Sequence, residues 1–234
     1  MKIHQLGMKE LRNRLYSSKK STVDIFGDIV HQKLQPHSVV LNAGCGFRPD
    51  LHIRNKCEKV VGVDLDNRIY DNDDLDVATL GDIENITLPS GTFDLVVGQW
   101  VIEHLEDPIK CFRNLHRMLK DHGFVLLLTS NRYHYISLVA GVLPHWFNKR
   151  FYKFLGMEEE IYPVHYRCNT PSKLRNAMQQ AGFETEELML IEPEPGYLRF
   201  STITFLIGIL LERLLSTPAP KMLRRDMIGV FVKK

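Results

Sequence analysis

The stretch Val39 to Asp50 reads VVLNAGCGFRPD, an apolar run that ends abruptly in two glycines separated by one cysteine. Residues without a Cβ at the end of a buried strand let a ligand touch the backbone. In an open parallel sheet, ligands bind where the carboxyl ends of strands meet the next segment. A dinucleotide fold wants a third small residue in this turn, and the corresponding position here is Pro49. The next apolar run ends at Val63-Asp64, twenty residues after Gly44. An acidic side chain at that distance can accept hydrogen bonds from both hydroxyls of a ribose. These residues describe a ligand that carries a ribose and need not carry a pyrophosphate.

The elements that must hold such residues follow from periodicity. Thr22 to Leu34 has apolar residues at helical spacing, and Pro36 closes it. Short β-branched runs at Val39–Leu41, Val60–Val63, Leu75–Leu80, Phe93–Val97 and Phe124–Thr129 read as strands. Glu106 to Lys120 reads as a helix ended by Gly123, and Thr170 to Ala181 as another, opened by Pro171 and ended by Gly182. Two more strands follow at Phe183–Ile191 and Ile228–Val232. Strands apolar on both faces and alternating with helices imply a mostly parallel sheet covered on two sides.

Composition narrows the classes. A chain of 234 residues fits one elaborated domain, and a net charge of +2 gives no nucleic-acid footprint, although Lys2, Lys9, Arg12, Arg14, Lys19 and Lys20 make the first twenty residues locally basic. Cys45, Cys57, Cys111 and Cys168 are too widely spaced for a disulfide framework or a zinc site. No metal is expected. The chain lacks a signal-peptide core and any apolar run near the roughly 20 residues of a spanning helix, so a cytoplasmic place is expected.

LNAGCG at Leu41–Gly46, VVGVDLD at Val60–Asp66, GDIENITLPSGTFDLVVGQWVIEHLEDP at Gly81–Pro108 and LHRMLKDHGFVLLLTSN at Leu115–Asn131 together resemble the class I S-adenosylmethionine-dependent methyltransferases. The resemblance implies a doubly wound α/β fold with a mostly parallel, Rossmann-like sheet of seven strands. Phe183–Ile191 and Ile228–Val232 would be an antiparallel pair at one edge. Gly44 and Gly46 would hold the methionine end of S-adenosyl-L-methionine, with Cys45 between them and Asn42 before them. Asp64 would take the ribose with Leu65 beside it, Asp82 the adenine amino group with Ile83 alongside, and Gln99 the region of the sulfonium. Asn42 departs from the family, which usually has an acid there; it offers a hydrogen-bond acceptor without charge.

Within this expectation, 1–21 is a basic segment, 22–131 the cofactor core, 132–169 a helical cap over the acceptor, and 170–234 the C-terminal helix, edge strands and an apolar insert. The acceptor is expected to be a small molecule, methylated on oxygen. A hydroxyl acceptor benefits from a base, and His104, His134 and His165 lie where residues following strand ends face the cofactor. Each also fits an ordinary half-buried ring, and Glu103 also fits a helix-start charge. The segment Tyr133 to Cys168 is rich in aromatics, suited to a lid or to a small self-packed cap. Ile203 to Leu215 is apolar nearly all round, with Lys221, Arg224 and Arg225 following. A buried helix, a homodimer contact and a peripheral membrane contact through 200–225 all fit it. A glycan or lipid-linked acceptor would suit the last reading. A nicotinamide oxidoreductase uses a similar sheet but wants the missing third glycine.

Overall fold

The computed structural model describes residues 10–47, 49–142, 163–198 and 201–234. The strands are β1 (Val39–Ala43), β2 (Lys59–Asp64), β3 (Val77–Leu80), β4 (Phe93–Gln99), β5 (Leu119–Ser130), β6 (Phe183–Ile191) and β7 (Asp226–Lys233). They form one sheet in the order β3-β2-β1-β4-β5-β7-β6. The pairings β1–β2, β1–β4, β2–β3 and β4–β5 are parallel. The sheet is mixed and mostly parallel, and its antiparallel strands lie at the edge beyond β5, as the two late strands require. Val40, Leu41, Val60, Val63, Val96 and Val97 are fully buried, which is why these strands read as continuous apolar runs rather than alternating ones.

The described helices are α1 (Thr22–Lys33), α2 (Pro108–Met118), α3 (Tyr135–Val142), α4 (Pro171–Gln180) and α5 (Thr202–Leu215). Residues 10–16 are also helical. The chain contacts divide into two compact units. One comprises Phe26–Ser130, Val164–Met189 and Met227–Lys234; the other comprises Met1–Ile25, Asn131–Pro163 and Leu190–Asp226.

In the first unit, α2 is capped by Asp107, whose carboxylate accepts the Lys110 N–H, and Pro108 fills the first turn where no N–H is needed. It is shorter at both ends than the expected Glu106–Lys120. The N–H groups of Gly91 and Thr92 donate to the carbonyls of Arg117 and Met118, which a longer helix would have used, and Leu119 turns extended to pair with Phe93. Between Phe93 and Leu95, β4 advances two residues while β5 advances from Leu119 to Phe124, so residues 120–123 bulge out. Gly123 therefore lies within β5, not past a helix end. The Lys120 ammonium pins the bulge to the Asp94 carboxylate, which also accepts the Val39 N–H at the foot of β1.

In the second unit, α5 begins with Ser201 and Thr204 in a reciprocal capping box. Its inner face carries Phe205, Ile209 and Leu215, and also the buried carboxylate of Glu212. Glu212 accepts from the Lys19 ammonium, the Tyr16 hydroxyl and the Ser216 hydroxyl. The Arg224 guanidinium donates to the carbonyls of Leu215, Ser216 and Thr217, closing the negative end of the helix. The opposite face, with Ile203, Leu206, Ile207, Leu210 and Leu214, is open to solvent. Burial on all sides therefore does not describe this helix. Among the described residues no helix is long and apolar enough to cross a membrane.

Phe112 on α2 is fully buried beneath the parallel strands. Phe112→Ala should lower unfolding free energy by about 3–5 kcal/mol, read as a smaller urea midpoint with unchanged slope.

Candidate functional site

The carboxyl ends of β1 and β2 are tied together by one side chain. Asp64, the last residue of β2, accepts the Gly46 N–H through Oδ2 at 2.7 Å and the Asp66 N–H through Oδ1 at 2.9 Å. Gly44 and Gly46 both sit in the left-handed region, at φ +67° and +57°. At Gly44 a Cβ would also stand 2.7 Å from Val101 Cγ2, so neither the space nor the dihedral admits a side chain. At Gly46 a Cβ would meet nothing within 4 Å. The backbone of that turn thus faces open space. The Gly44 N–H donates to the Val63 carbonyl, and the Asn72 amide donates to the carbonyls of Gly46 and Cys45, so the turn is held from both sides.

The neighbouring candidates lie along the same row of strand ends. Leu65, directly after Asp64, is 65% exposed, an apolar side chain left in water beside a carboxylate. The Gly81 N–H donates to the Asp64 carbonyl, carrying the end of β3 to the end of β2. Asp82 follows, accepting from the Glu84 N–H through Oδ1 and from the Asn85 amide through Oδ2, with Ile83 buried next to it. Asn42 lies inside β1, in register with Gly62 on β2 and Val97 on β4. Gln99 ends β4 opposite Leu128. All nine expected cofactor residues therefore sit on β1, on β4 or at the ends of β1 to β4.

A second cluster follows Gln99. Trp100 takes a left-handed conformation, φ +55°, and its N–H donates to the Leu128 carbonyl, turning the chain sharply off the sheet. A single 3-10 turn, Ile102–His104, comes next, where the sequence was expected to start a helix. Glu103 is 6% exposed. Its carboxylate accepts the Thr129 hydroxyl at 2.7 Å, and Thr129 in turn accepts from the Asn169 amide at 2.7 Å. The Glu103 carbonyl accepts the N–H groups of His165 and Tyr166 at 2.8 and 3.1 Å. His104 and His165 are thereby brought onto adjoining segments, both half-buried, with the His165 ring nitrogen 3.9 Å from the Glu106 carboxylate.

His134 belongs to the other unit. Its ring is completely buried, Nδ1 accepts the Ile136 N–H, and Nε2 lies 3.5 Å from the Glu192 carboxylate. Trp146, Phe147, Phe151, Tyr152, Phe154 and Tyr162 of the expected cap lie outside the described residues, as do Lys2, Met8 and Lys9 of the basic segment. Thr129 and Asn169 were not anticipated. For Thr129 the signal available was a polar Thr-Ser-Asn run ending a strand of leucines; Asn169 has none in its own neighbourhood.

Cys45 lies between the two glycines, yet its thiol faces the Val63 carbonyl at 3.9 Å. Burial, followed by the nearby Asp64 charge, pushes it from 9.0 up to about 12. It is a neutral filler rather than a nucleophile. Because the folded value lies above the unfolded one, its contribution to stability is complete below about pH 9 and is lost as pH rises towards 12. Native Cys45 should accordingly be alkylated by iodoacetamide at pH 8.5 at least about tenfold more slowly than in urea, measured by peptide mass spectrometry.

The profile of a family described as "Methyltransferase domain" matches residues 11–188. A Mycolicibacterium smegmatis protein named "Probable S-adenosylmethionine-dependent methyltransferase" is 27% identical over 174 residues, covering 69% of this chain and 59% of that protein. The chain thus spans about three fifths of this relative, and 53% of each of two Mycobacterium tuberculosis relatives. Among solved structures, an S-adenosylmethionine-dependent methyltransferase from Mesorhizobium loti superposes with a TM-score of 0.58 at 16% identity, over 86% of this chain and 93% of that one. A geranyl diphosphate C-methyltransferase from Streptomyces coelicolor gives 0.56 at 14% identity, over 95% and 80%. At such identities the likeness is one of fold. The strand order, the bare turn stapled to Asp64 and the match over 11–188 agree: the chain belongs to the S-adenosylmethionine-dependent methyltransferase family.

Proposed function

We propose that this methyltransferase moves the methyl group of S-adenosylmethionine to an oxygen of a small-molecule acceptor by in-line displacement. The observation that carries the cofactor half is the open left-handed turn at Gly44–Gly46 bound to the Asp64 carboxylate. Each carboxylate oxygen has two lone-pair sites, so Asp64 keeps acceptor capacity for ribose hydroxyls after serving Gly46 and Asp66. Exposed Leu65 gives apolar surface suited to an adenine ring, with Asp82, backed by the buried Ile83, to accept from its amino group. Gly44 and Gly46 leave backbone accessible to the methionine end, and Asn42 offers it a neutral acceptor. Cys45 fills space beneath, and Gln99 lines the approach to the reacting centre. When bound, S-adenosylmethionine supplies a methyl group made electrophilic by its sulfonium. The protein's task is then to align an incoming oxygen and exclude water.

His104 and His165, joined through the Glu103 carbonyl, are the residues assigned to take the hydroxyl proton. Glu106 stands near enough to the His165 ring to orient it. His134 is a third candidate, but its ring is fully buried and its Nδ1 accepts the Ile136 N–H, which supports a structural place for it.

Calorimetric titration with S-adenosylhomocysteine should give saturable binding, and Asp64→Ala should weaken it about tenfold or more by leaving ribose hydroxyls unpaired. Binding of NAD in place of the sulfur compound, or an unchanged Asp64→Ala affinity, would overturn the cofactor assignment.

The acceptor half is read separately. With a hydroxyl acceptor found by screening label transfer from S-adenosylmethionine, His104→Ala or His165→Ala should lower kcat about 100-fold or more while S-adenosylhomocysteine affinity stays within about twofold. Full turnover by both variants would mean that positioning alone carries the step.

A further inference from the structure

The outer face of α5 departs from that of an ordinary surface helix. Such a helix turns its apolar side inward and its charges to water. Here the inner face holds the Glu212 carboxylate, matched by Lys19 and Tyr16, while the outer face is built from Ile203, Leu206, Ile207, Leu210 and Leu214. These five recur at helical spacing and run along one side for roughly 16 Å at 1.5 Å per residue. Ile203 is 71% and Leu210 69% exposed. Met222 and Leu223, in the 3-10 turn that follows, are also exposed. A contiguous apolar surface of this kind marks an interaction site.

Charge identifies what the face meets. Between Ser201 and Arg225 the sequence contains a single acid, Glu212, and it is buried and neutralised by Lys19. The exposed charges are cationic: Arg213 beside Leu214, and Lys221 beside Met222. Arg224 is committed to backbone carbonyls and Arg225 to Asp226. A two-fold dimer sets a patch against its own copy, which here would oppose cations with no acid in the segment to pair them. An anionic lipid surface satisfies both features, taking the apolar ridge into the acyl boundary and the cations into the phosphate layer.

We propose that the outer face of α5, with the turn at Lys221–Leu223, docks the protein on anionic membrane surfaces. The contact is peripheral. The ridge is one helix deep, and insertion of about 5–10 Å suffices to cover it. This inference is independent of the acceptor assignment, because docking is measured without turnover.

The test is co-sedimentation of the full chain with phosphatidylcholine vesicles with and without about one third phosphatidylserine, at low and high salt, with sedimentation equilibrium alongside. The docked protein partitions to the anionic vesicles far better than to the neutral ones, and less at high salt. Leu210→Glu releases it without lowering the melting temperature, and Arg213→Gln with Lys221→Gln weakens partitioning about fivefold for each charge removed. The proposal is overturned if the wild type stays in the supernatant at low salt, or if Leu210→Glu still binds. It is overturned equally if Leu210→Glu lowers the melting temperature by many degrees, which means that this chain covers the ridge itself. It is overturned as well by a dimer that Leu210→Glu dissociates, since a second copy then covers the ridge.

Discussion

The carboxyl ends of β1, β2 and β3 are held together by Asp64. A strand that ends in a left-handed turn leaves N–H groups pointing away from the sheet, and such groups need an acceptor. Asp64 provides one for Gly46 while its own backbone carbonyl receives Gly81 from the end of β3. Three strand ends are therefore joined through one residue. The turn at Gly44–Gly46 can stay open on its outer side because it is held from within, by Val63 and by the Asn72 amide. A turn fixed by hydrogen bonds rather than by packing loses nothing when its outer surface meets a ligand.

Glu103 has a comparable position just beyond the end of β4. A buried carboxylate is costly unless it is hydrogen-bonded, and the Thr129 hydroxyl, itself held by Asn169, meets that need. The same residue's carbonyl fixes the segment that carries His165 and Tyr166. The end of β4, the end of β5 and the residues before α4 are thus bound into one network.

The sheet was readable in the sequence because parallel strands buried on both faces appear as short unbroken apolar runs. The Gly44–Gly46 turn and Asp64 were readable because their spacing is set by one strand, one crossover and one further strand. The junction of α2 with β5 was not. It depends on Gly91 and Thr92, distant in sequence, taking the carbonyls of Arg117 and Met118. Nor could Glu103 be assigned from its neighbours, since its partners lie on β5 and beyond. For α5 the periodicity was silent for a different reason: a helix apolar nearly all round does not say which side faces inward, and its one acid, Glu212, lies on the buried side.

The order of the last strands shapes how the chain can be made. β6 precedes β7 in the sequence, yet β7 stands between β5 and β6 in the sheet. During synthesis β6 leaves the ribosome with β7, its neighbour among the described strands, still unwritten, and β5 likewise waits with one edge unpaired. Both edges must remain open while α5 and its connections are translated. An open strand edge is a template for pairing with another chain, so the interval before residues 226–233 emerge leaves the growing chain open to misassembly.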